Sequence, residues 1–264
     1  MKHIQKHPFD KGYNPIIDAA QEPKMKGLDF GIIYMEAGDK NEYRYPQEVV
    51  YTLLYGEVTF TWNDEGVTAN RSDCFHEGAY VLHVPQNTEV KFECLSDKAE
   101  FAVCRTANSK SFDPKFLKPE DCLDANEVRG SGMMDDCATR LVRTFFDRST
   151  CPNTNFFIGE VVHFPGKWSS YPPHIHAEPE LYFYKMLPEN GYGFSEYEGG
   201  AEIIRHNSLL GFESMTQHSQ VVAPGYAMYY LWCIRLQDEK NIETIAVDEH
   251  KWVNQPGAKY FHQS

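Results

Sequence analysis

One stretch, residues 168–184, decides how the rest of the sequence is interpreted; it reads WSSYPPHIHAEPELYFY. Two histidines in it, His174 and His176, stand two positions apart, and alternate residues of a β-strand project from the same face. The prolines before them hold the backbone extended. Two imidazoles that point the same way are a candidate pair of metal ligands. The stretch therefore predicts a metal site built on a β-strand.

Further ligands for the same metal are available in the sequence. Glu180 follows His176 with the spacing H-x-H-x3-E and can supply an oxygen ligand from the next strand, and His218 can supply a third imidazole. Three neutral imidazoles and one carboxylate suit one divalent ion of Zn, Mn, Fe, Ni or Co, among which the sequence does not choose. Glu178 is the alternative carboxylate ligand, and His206 is the alternative fourth ligand.

The composition outside this stretch favours an all-β chain. Of the 264 residues, 14% are aromatic, and aromatic side chains suit the half-buried surfaces of sheets. Strand-like runs recur along the chain, separated by many glycines and prolines. Tyr55-Gly56 lies between two such runs and predicts a tight turn. His83 and His163 lie in apolar runs, and we expect both to be core residues.

Charge and cysteine content argue against several classes of protein. The 25 basic and 38 acidic residues give a formal net charge of −13, which repels phosphate backbones and disfavours nucleic-acid binding. No apolar run is long enough to predict a membrane-spanning segment. The seven cysteines show no C-x-x-C spacing and indicate a reducing compartment, and residues 1–12 lack the apolar core of a signal peptide. We therefore expect a cytoplasmic protein.

The chain is expected to divide into two halves. Glu48 and Glu180 each precede an apolar strand, half a chain length apart, and this internal echo indicates a duplication. We predict one β domain over residues 1–108, a connection over residues 109–139 with a helical turn after Pro119, and a second β domain over residues 140–264. The polar final segment, residues 238–264, is expected to pack on the outside.

The metal-site stretch resembles a known family. H-x-H-x3-E followed by a later His is similar to the motifs of the cupin superfamily, whose double-stranded β-helix barrels hold a His/His/Glu/His metal site. More closely, residues 168–174 resemble the W-S-S-Y-P-P-H signature of the 5-deoxy-glucuronate isomerases of bacterial myo-inositol catabolism. Residues 218–231 resemble that family's H-P-V-x-A-A-P-G-Y-D-L-Y-Y-L, and residues 129–132 resemble its R-G-x-G linker. The resemblance extends over both halves.

This resemblance implies a bicupin, with the metal in the second barrel and a structural first barrel that lacks the H-x-H pair. It also implies a metal-dependent isomerase that converts 5-deoxy-D-glucuronate to 5-dehydro-2-deoxy-D-gluconate. The sequence departs from the family near the site, where Ile175 replaces a Lys and Ala177 an Asp. Three alternatives therefore stay open: a 5-keto-4-deoxyuronate isomerase of pectin degradation, a cupin dioxygenase, and a non-catalytic bicupin that binds a sugar acid.

The implied reaction moves a proton from C2 to C1 of the sugar, which needs a general base within reach of that proton. Glu178, Lys185 and Tyr184 are the candidates. Tyr184 and Tyr230 alternate with core-facing neighbours and can hydrogen-bond the sugar. Trp168 can stack on a face of the sugar ring.

The substrate carboxylate calls for a cation, and a guanidinium matches a carboxylate in two parallel hydrogen bonds. Arg143 and Arg205 are the candidates for this role. The expected ligand is thus a small sugar acid, a uronate. We also expect a homo-oligomer, because the strand edges of a barrel need covering.

Overall fold

A computed structural model describes residues 2–5, 8–197, 199–237 and 241–260. The strands up to residue 106 are β1 (Lys2–Gln5), β2 (Gly12–Ile17), β3 (Leu28–Glu36), β4 (Lys40–Arg44), β5 (Glu48–Trp62), β6 (Glu65–Arg71), β7 (Val81–Val84), β8 (Glu89–Cys94) and β9 (Lys98–Thr106). The later strands are β10 (Lys115–Leu117), β11 (Asp124–Arg129), β12 (Arg140–Phe146), β13 (Phe156–His163), β14 (Trp168–Ile175), β15 (Glu180–Leu187), β16 (Tyr192–Tyr197), β17 (Gly200–Arg205), β18 (Ser208–Phe212), β19 (His218–Val222), β20 (Ala227–Arg235) and β21 (Ile245–Ala246). Short 3-10 helices span Pro23–Met25, Pro119–Asp121, Met134–Asp136 and Asp248–Asn254. The predicted all-β class is confirmed.

The strands pair antiparallel in three sheets. The first half builds a nine-stranded sheet from β2 to β10. The second half builds a seven-stranded sheet in the order β1-β18-β15-β20-β13-β12-β11 and a five-stranded sheet in the order β17-β16-β19-β14-β21. The first strand of the chain therefore completes the edge of a sheet in the second half. None of the described helices is long and apolar enough to cross a membrane.

Both faces of the central strands are buried, because apolar side chains alternate between two clusters. On β5, Val49, Tyr51 and Leu53 pack inside the curled sheet of the first half. Val50 and Leu54 point the other way, into a cluster that joins the two halves. A third cluster lies between the two sheets of the second half. His83 and His163 are both buried, which confirms that they are core residues.

The predicted turn at Tyr55-Gly56 is wrong, because β5 continues through it. Near Gly56 the strand changes neighbours, from β7 and β9 to β6 and β8. Gly56 has a φ of +107°, and a Cβ atom there would lie 2.6 Å from the Cβ of Ala99. The glycine permits a bend within the long strand β5 and a close approach of β5 to β9. It does not reverse the direction of the chain.

Two other segments have more structure than expected. Within residues 109–139, β10 pairs with β7 and β11 pairs with β12, and the 3-10 helix Pro119–Asp121 confirms the predicted helical turn. In the final segment, β21 pairs with β14 next to the candidate metal site. The described part of that segment thus packs against functional residues. The division into domains at residues 108 and 140 stays a prediction.

A buried polar network joins the halves. The carboxylate of Glu48 accepts hydrogen bonds from His83 Nε2 at 2.7 Å, Asn108 Nδ2 at 2.7 Å and Thr154 Oγ1 at 2.5 Å. Glu48 faces the cluster between the halves, because it shares a face of β5 with Val50. The internal repeat suggested Glu48 as the counterpart of Glu180. Glu48 is instead a structural residue, and its side chain faces the cluster between the halves.

Candidate metal centre

A cavity of about 250 Å³ lies between the two sheets of the second half. Alternate residues of the seven-stranded sheet project into it, as the two-residue period of strands requires. Those residues are Arg140, Val142, Thr144, Phe157, Val161, Glu180, Tyr182, Tyr230, Trp232 and Ile234. The opposite wall comes from Ser169, Ser170, His174 and His176, and the final segment adds Ile242 and Thr244.

Three of the predicted ligands meet in this region. Nitrogen atoms of His174, His176 and His218 all lie within 4.8 Å of one another. His174 near the end of β14 pairs directly with His218 at the start of β19, so sheet register brings these two together. His176 follows two residues later, and its ring centroid lies 5.9 Å from that of His174. The spacing H-x-H therefore does place both imidazoles on one side of the chain.

The fourth predicted ligand faces this histidine cluster. Oε2 of Glu180 lies 3.1 Å from Nε2 of His176 and 3.2 Å from Nε2 of His218. Burial raises the pKa of this carboxyl group, but hydrogen bonds from His176 and His218 outweigh burial and lower the pKa to about 2. Glu180 is accordingly ionised and buried, at 3% exposure, beside the three imidazoles.

The histidine tautomers suit a metal ion. Nδ1 of His176 lies 2.9 Å from the carbonyl oxygen of Glu178, and Nδ1 of His218 lies 3.0 Å from that of Thr216. Because a carbonyl only accepts, each Nδ1–H donates, so Nε2 is the atom of each ring that faces Glu180, and loss of its proton frees a lone pair for a metal. Burial, then the neighbouring His218, lower the pKa of His174 to about 4, so its ring is neutral near pH 7. This donor set fits a divalent ion.

Of three aromatic residues predicted for the site, one lines the cavity and two do not. Tyr230 lines the cavity, and its phenol oxygen lies 2.6 Å from Oγ of Ser169. Tyr184 is fully buried and its phenol donates to Gln220, so it does not line the cavity. Trp168 packs on Tyr171, with ring centroids 5.4 Å apart, outside the cavity lining.

Glu178, predicted as a base or as a rival ligand, lies behind His176. Its Oε2 is 3.9 Å from Nδ1 of His176, on the side of the ring away from Glu180. The backbone carbonyl of Glu178, not its carboxylate, contacts the histidine at hydrogen-bond distance. The structure therefore gives Glu178 a part in orienting His176 and does not bring its carboxylate to the cavity.

Two predicted residues point away from the cavity. Lys185 alternates with Tyr184 on β15 and so faces the cluster between the halves, where its Nζ pairs with Glu100 and donates to Oδ1 of Asn207 at 2.7 Å. Arg143 alternates with the cavity residues of β12, and its Nη1 donates to Glu160 at 2.7 Å. Both side chains are buried in the interface of the two halves. The structure therefore does not bring Lys185 to the cavity as a base, or Arg143 as a carboxylate-binding residue.

Arg205 and His206 are not brought to the site either. Arg205 is exposed at the end of β17. Nδ1 of His206 accepts from the backbone N–H of Met186 at 3.2 Å, on the far side of β15. His206 is therefore not the fourth ligand in this arrangement.

Sequence reasoning missed several cavity residues. Tyr182 lies two residues after Glu180, and its phenol oxygen is 3.0 Å from Nε2 of His218. Arg140 and Arg129 line the cavity, whereas the arginines chosen from the sequence do not. Strand alternation would have indicated Tyr182, but Arg129 lies in a stretch without alternation and gave no signal.

Comparison with known proteins shows the family to which this chain belongs. The profile of the KduI/IolB family matches residues 3–253. The 5-deoxy-glucuronate isomerase of Geobacillus kaustophilus (strain HTA426) is 27% identical over 205 residues, which cover 70% of this chain and 70% of the relative. The 5-deoxy-glucuronate isomerase of Bacillus subtilis (strain 168) is 23% identical over 222 residues, 77% of this chain and 79% of the relative.

Solved structures match the fold. An IolB-like protein from Salmonella typhimurium LT2 has a TM-score of 0.83 and 19% identity, covering 96% of this chain and 99% of that one. Bacillus subtilis oxalate decarboxylase, a protein with Mn(II) centres, has a TM-score of 0.64 and 12% identity, covering 96% and 81%. With the all-β sheets described above, these likenesses confirm the predicted bicupin fold.

Proposed function

Because this chain belongs to the KduI/IolB family, we propose that it converts 5-deoxy-D-glucuronate to 5-dehydro-2-deoxy-D-gluconate, as a metal-dependent aldose–ketose isomerase of myo-inositol catabolism. The named relatives are isomerases of this sugar acid. The observation that carries the proposal is the cluster of three histidines around the ionised Glu180, at a cavity of the size of a small metabolite.

In this proposal, His174, His176, His218 and Glu180 hold one divalent ion of Zn, Mn, Fe, Ni or Co. When bound, the ion acts as a Lewis acid toward oxygens of the sugar and stabilises the negative charge that develops on them. The Mn(II) centres of the structurally similar oxalate decarboxylase support a metal in this fold. Fixed imidazole tautomers on His176 and His218 favour binding without rearrangement of the side chains.

Tyr182 is the side chain that we assign to proton handling near the reacting oxygens. Its phenol lies between Nε2 of His218, at 3.0 Å, and Oγ of Ser170, at 3.3 Å. Burial raises the pKa of Tyr182 well above its ordinary value, so the group stays protonated and can donate a hydrogen bond to a sugar oxygen. In the direction of aldose to ketose, this donor stabilises charge on oxygen while the proton moves between C2 and C1.

The remaining cavity wall shapes the ligand site. A Cβ atom on Gly159 would lie 2.5 Å from Cζ2 of Trp232, so the glycine lets the indole ring lie close against the sheet. Trp232 and Tyr230 then offer aromatic surface to the apolar C–H groups of a sugar. Ser169, which is hydrogen-bonded to Tyr230, adds a hydroxyl to the same wall.

A proton NMR time course in heavy water tests the function. Metal-loaded protein is mixed with 5-deoxy-D-glucuronate, and the same protein stripped with a chelator is the control. We expect loss of the aldehyde-derived signals and growth of the 2-deoxy-5-keto acid in the loaded sample alone. Deuterium at the new CH2OH carbon of the product, which was C1 of the substrate, would reveal proton exchange with solvent. No conversion, with metal confirmed in the protein, would reject this substrate, and the 5-keto-4-deoxyuronate of pectin degradation is then the next substrate to test.

We further propose that the protein is a homo-oligomer. Sedimentation equilibrium measures its mass and therefore the number of chains in it. All seven cysteines are free thiols, which supports the predicted cytoplasmic, reducing compartment.

A further inference from the structure

Two arginines face each other at one end of the cavity. Arg129 on β11 is the direct cross-strand partner of Arg140 on β12, so both side chains project from the same face of the sheet. Both line the cavity that also holds His174 and His176. Like charges placed directly opposite each other destabilise an antiparallel pair. A bound anion would compensate the repulsion between the two guanidinium groups.

Only one of the two charges is compensated within the described parts of the chain. Nε of Arg129 donates to Glu127 at 3.1 Å, and its Nη2 pairs with the same carboxylate. Arg140 donates from Nη1 to the carbonyl oxygen of Ala138 at 2.7 Å, and the structure pairs it with no carboxylate among the described residues. A guanidinium carries five N–H donors. Arg140 therefore retains donors for a ligand.

The position of Arg140 connects it to the metal centre. Arg140, Val142 and Thr144 alternate on β12, and all three line the cavity. Arg140 pairs with His163, and His163 pairs with Met228. Met228 pairs with Met186, which lies six residues after Glu180 on β15. The arginine pair and the histidine cluster thus lie toward opposite ends of the strands that line one cavity.

We propose that Arg140, with Arg129 opposite it, binds the carboxylate of a sugar acid and makes the site selective for uronates over neutral aldoses. This assignment rests on the proposed function for its orientation, in which the carbonyl end of the sugar lies at the histidine cluster and the carboxylate at the arginine pair. The planar guanidinium suits a carboxylate through two parallel hydrogen bonds.

Binding of two unreactive probes tests the assignment without turnover. D-glucuronate carries the carboxylate and D-glucose lacks it, and calorimetry on metal-loaded protein measures both affinities. Hydrogen bonds between charged groups are stronger than neutral ones, so we expect the wild type to prefer glucuronate by at least about tenfold. Arg140→Gln should remove most of this preference and leave the affinity for glucose unchanged. Arg205→Gln, which removes one exposed arginine elsewhere, is the matched control and should change neither.

A thermal melt separates ligand binding from a structural role. Without ligand, Arg140→Gln should melt at the same temperature as the wild type or higher, because it removes the repulsion from Arg129. Arg140→Lys keeps the charge and should recover part of the affinity for glucuronate. A variant that melts several degrees lower, with no recovery by lysine, would make Arg140 a structural residue and overturn the proposal.

The assignment and the proposed function can fail separately. If the wild type isomerises 5-deoxy-D-glucuronate and Arg140→Gln keeps the same KM, the carboxylate assignment is wrong and the isomerase stands. If the wild type does not isomerise this sugar but binds glucuronate through Arg140, the isomerase is wrong and the carboxylate site stands. Equal affinity of the wild type for glucuronate and glucose would overturn the assignment.

Discussion

The phenol oxygen of Tyr182 lies 3.0 Å from Nε2 of His218, on the inner wall of the second barrel. Strand alternation explains the contact, since Tyr182 follows Glu180 by two residues on β15 and projects from the same face. The packing of the two sheets brings in His218, because side chains of β15 and β19 contact each other across the space between them. One strand thus places both the carboxylate of Glu180 and the hydroxyl of Tyr182 beside the histidine cluster.

Replacing Tyr182 by Phe should lower kcat for the isomerisation by about 100-fold, the usual contribution of one proton-donating group. Metal content should stay at the wild-type level, because the four proposed ligands remain. Steady-state kinetics and elemental analysis of the same preparation measure the two quantities. A variant with wild-type kcat would remove Tyr182 from the mechanism.

Tyr184→Phe is the matched control for that experiment, and it also tests the catalytic role predicted for Tyr184. Its phenol donates to Gln220 and lies outside the cavity lining. We expect kcat to stay within about threefold of the wild type, because this phenol does not contact the groups that would touch the sugar. A loss as large as that of Tyr182→Phe would return Tyr184 to the active site.

His174→Ala should remove metal and activity together, because His174 contributes one of three clustered imidazoles. We expect bound metal to fall from about one ion per chain to a small fraction, and kcat/KM to fall by at least about 1,000-fold. Mass spectrometry of the metal and the NMR assay measure both. His76→Ala, which removes an exposed histidine paired with Asp73, should change neither. Full activity in His174→Ala without bound metal would end the metal-dependent mechanism.

Arg143→Met should destabilise the fold and spare the active site. Arg143 and Arg71 both donate to Oε1 of the fully buried Glu160, at 2.7 and 2.6 Å. Removing one partner of a buried ion pair costs about 3–5 kcal/mol when the other charge is left alone, and because Glu160 keeps Arg71 we expect a loss of about 3 kcal/mol or less. Urea unfolding should report that loss, whereas KM for the sugar acid should stay within about twofold. A raised KM with unchanged stability would restore Arg143 as a carboxylate-binding residue.

His163 should make the folded state sensitive to acid. Burial, then the charge of Arg140, lower the pKa of His163 from its ordinary value of 6.5 to about 3. The fold therefore favours the neutral ring, so this contribution to stability is complete above pH 6.5 and is lost as the pH falls toward 3. Between pH 7 and pH 5 the loss is about 2 kcal/mol.

In His163→Leu, the difference in unfolding free energy between pH 7 and pH 5 should shrink by about that amount. Urea titrations followed by tryptophan fluorescence at low protein concentration measure the difference for both proteins. An unchanged difference would mean that His163 is protonated at the same pH in the folded and unfolded states.

The cluster of three histidines with Glu180 was largely predictable from the sequence, because its residues lie in short motifs. His174 and His176 are separated by the two-residue period of a strand, and Glu180 begins the next strand. His218 was predicted as a possible third imidazole, but the pairing of β14 with β19 that brings it to His174 had no signal in the sequence.

Cations near the site were much harder to predict. Arg143 and Lys185 lie one residue away from cavity-facing positions, and a shift of one residue moves a strand side chain to the opposite face. Arg140 and Arg129 become neighbours only through the pairing of β11 with β12. Residues 109–139 lack the alternation of a strand and were predicted as a connection, so this pairing was not expected.

The edge position of β1 has a consequence for synthesis of the chain. His3 and Ser208, which belong to this strand pair, are 205 residues apart along the chain. At 5–20 residues per second, a ribosome needs on the order of ten to forty seconds to make the partner of a strand that emerged at the start. The first segment made is thus among the last to be paired, and the edge of β1 stays open to other chains until β18 has been made.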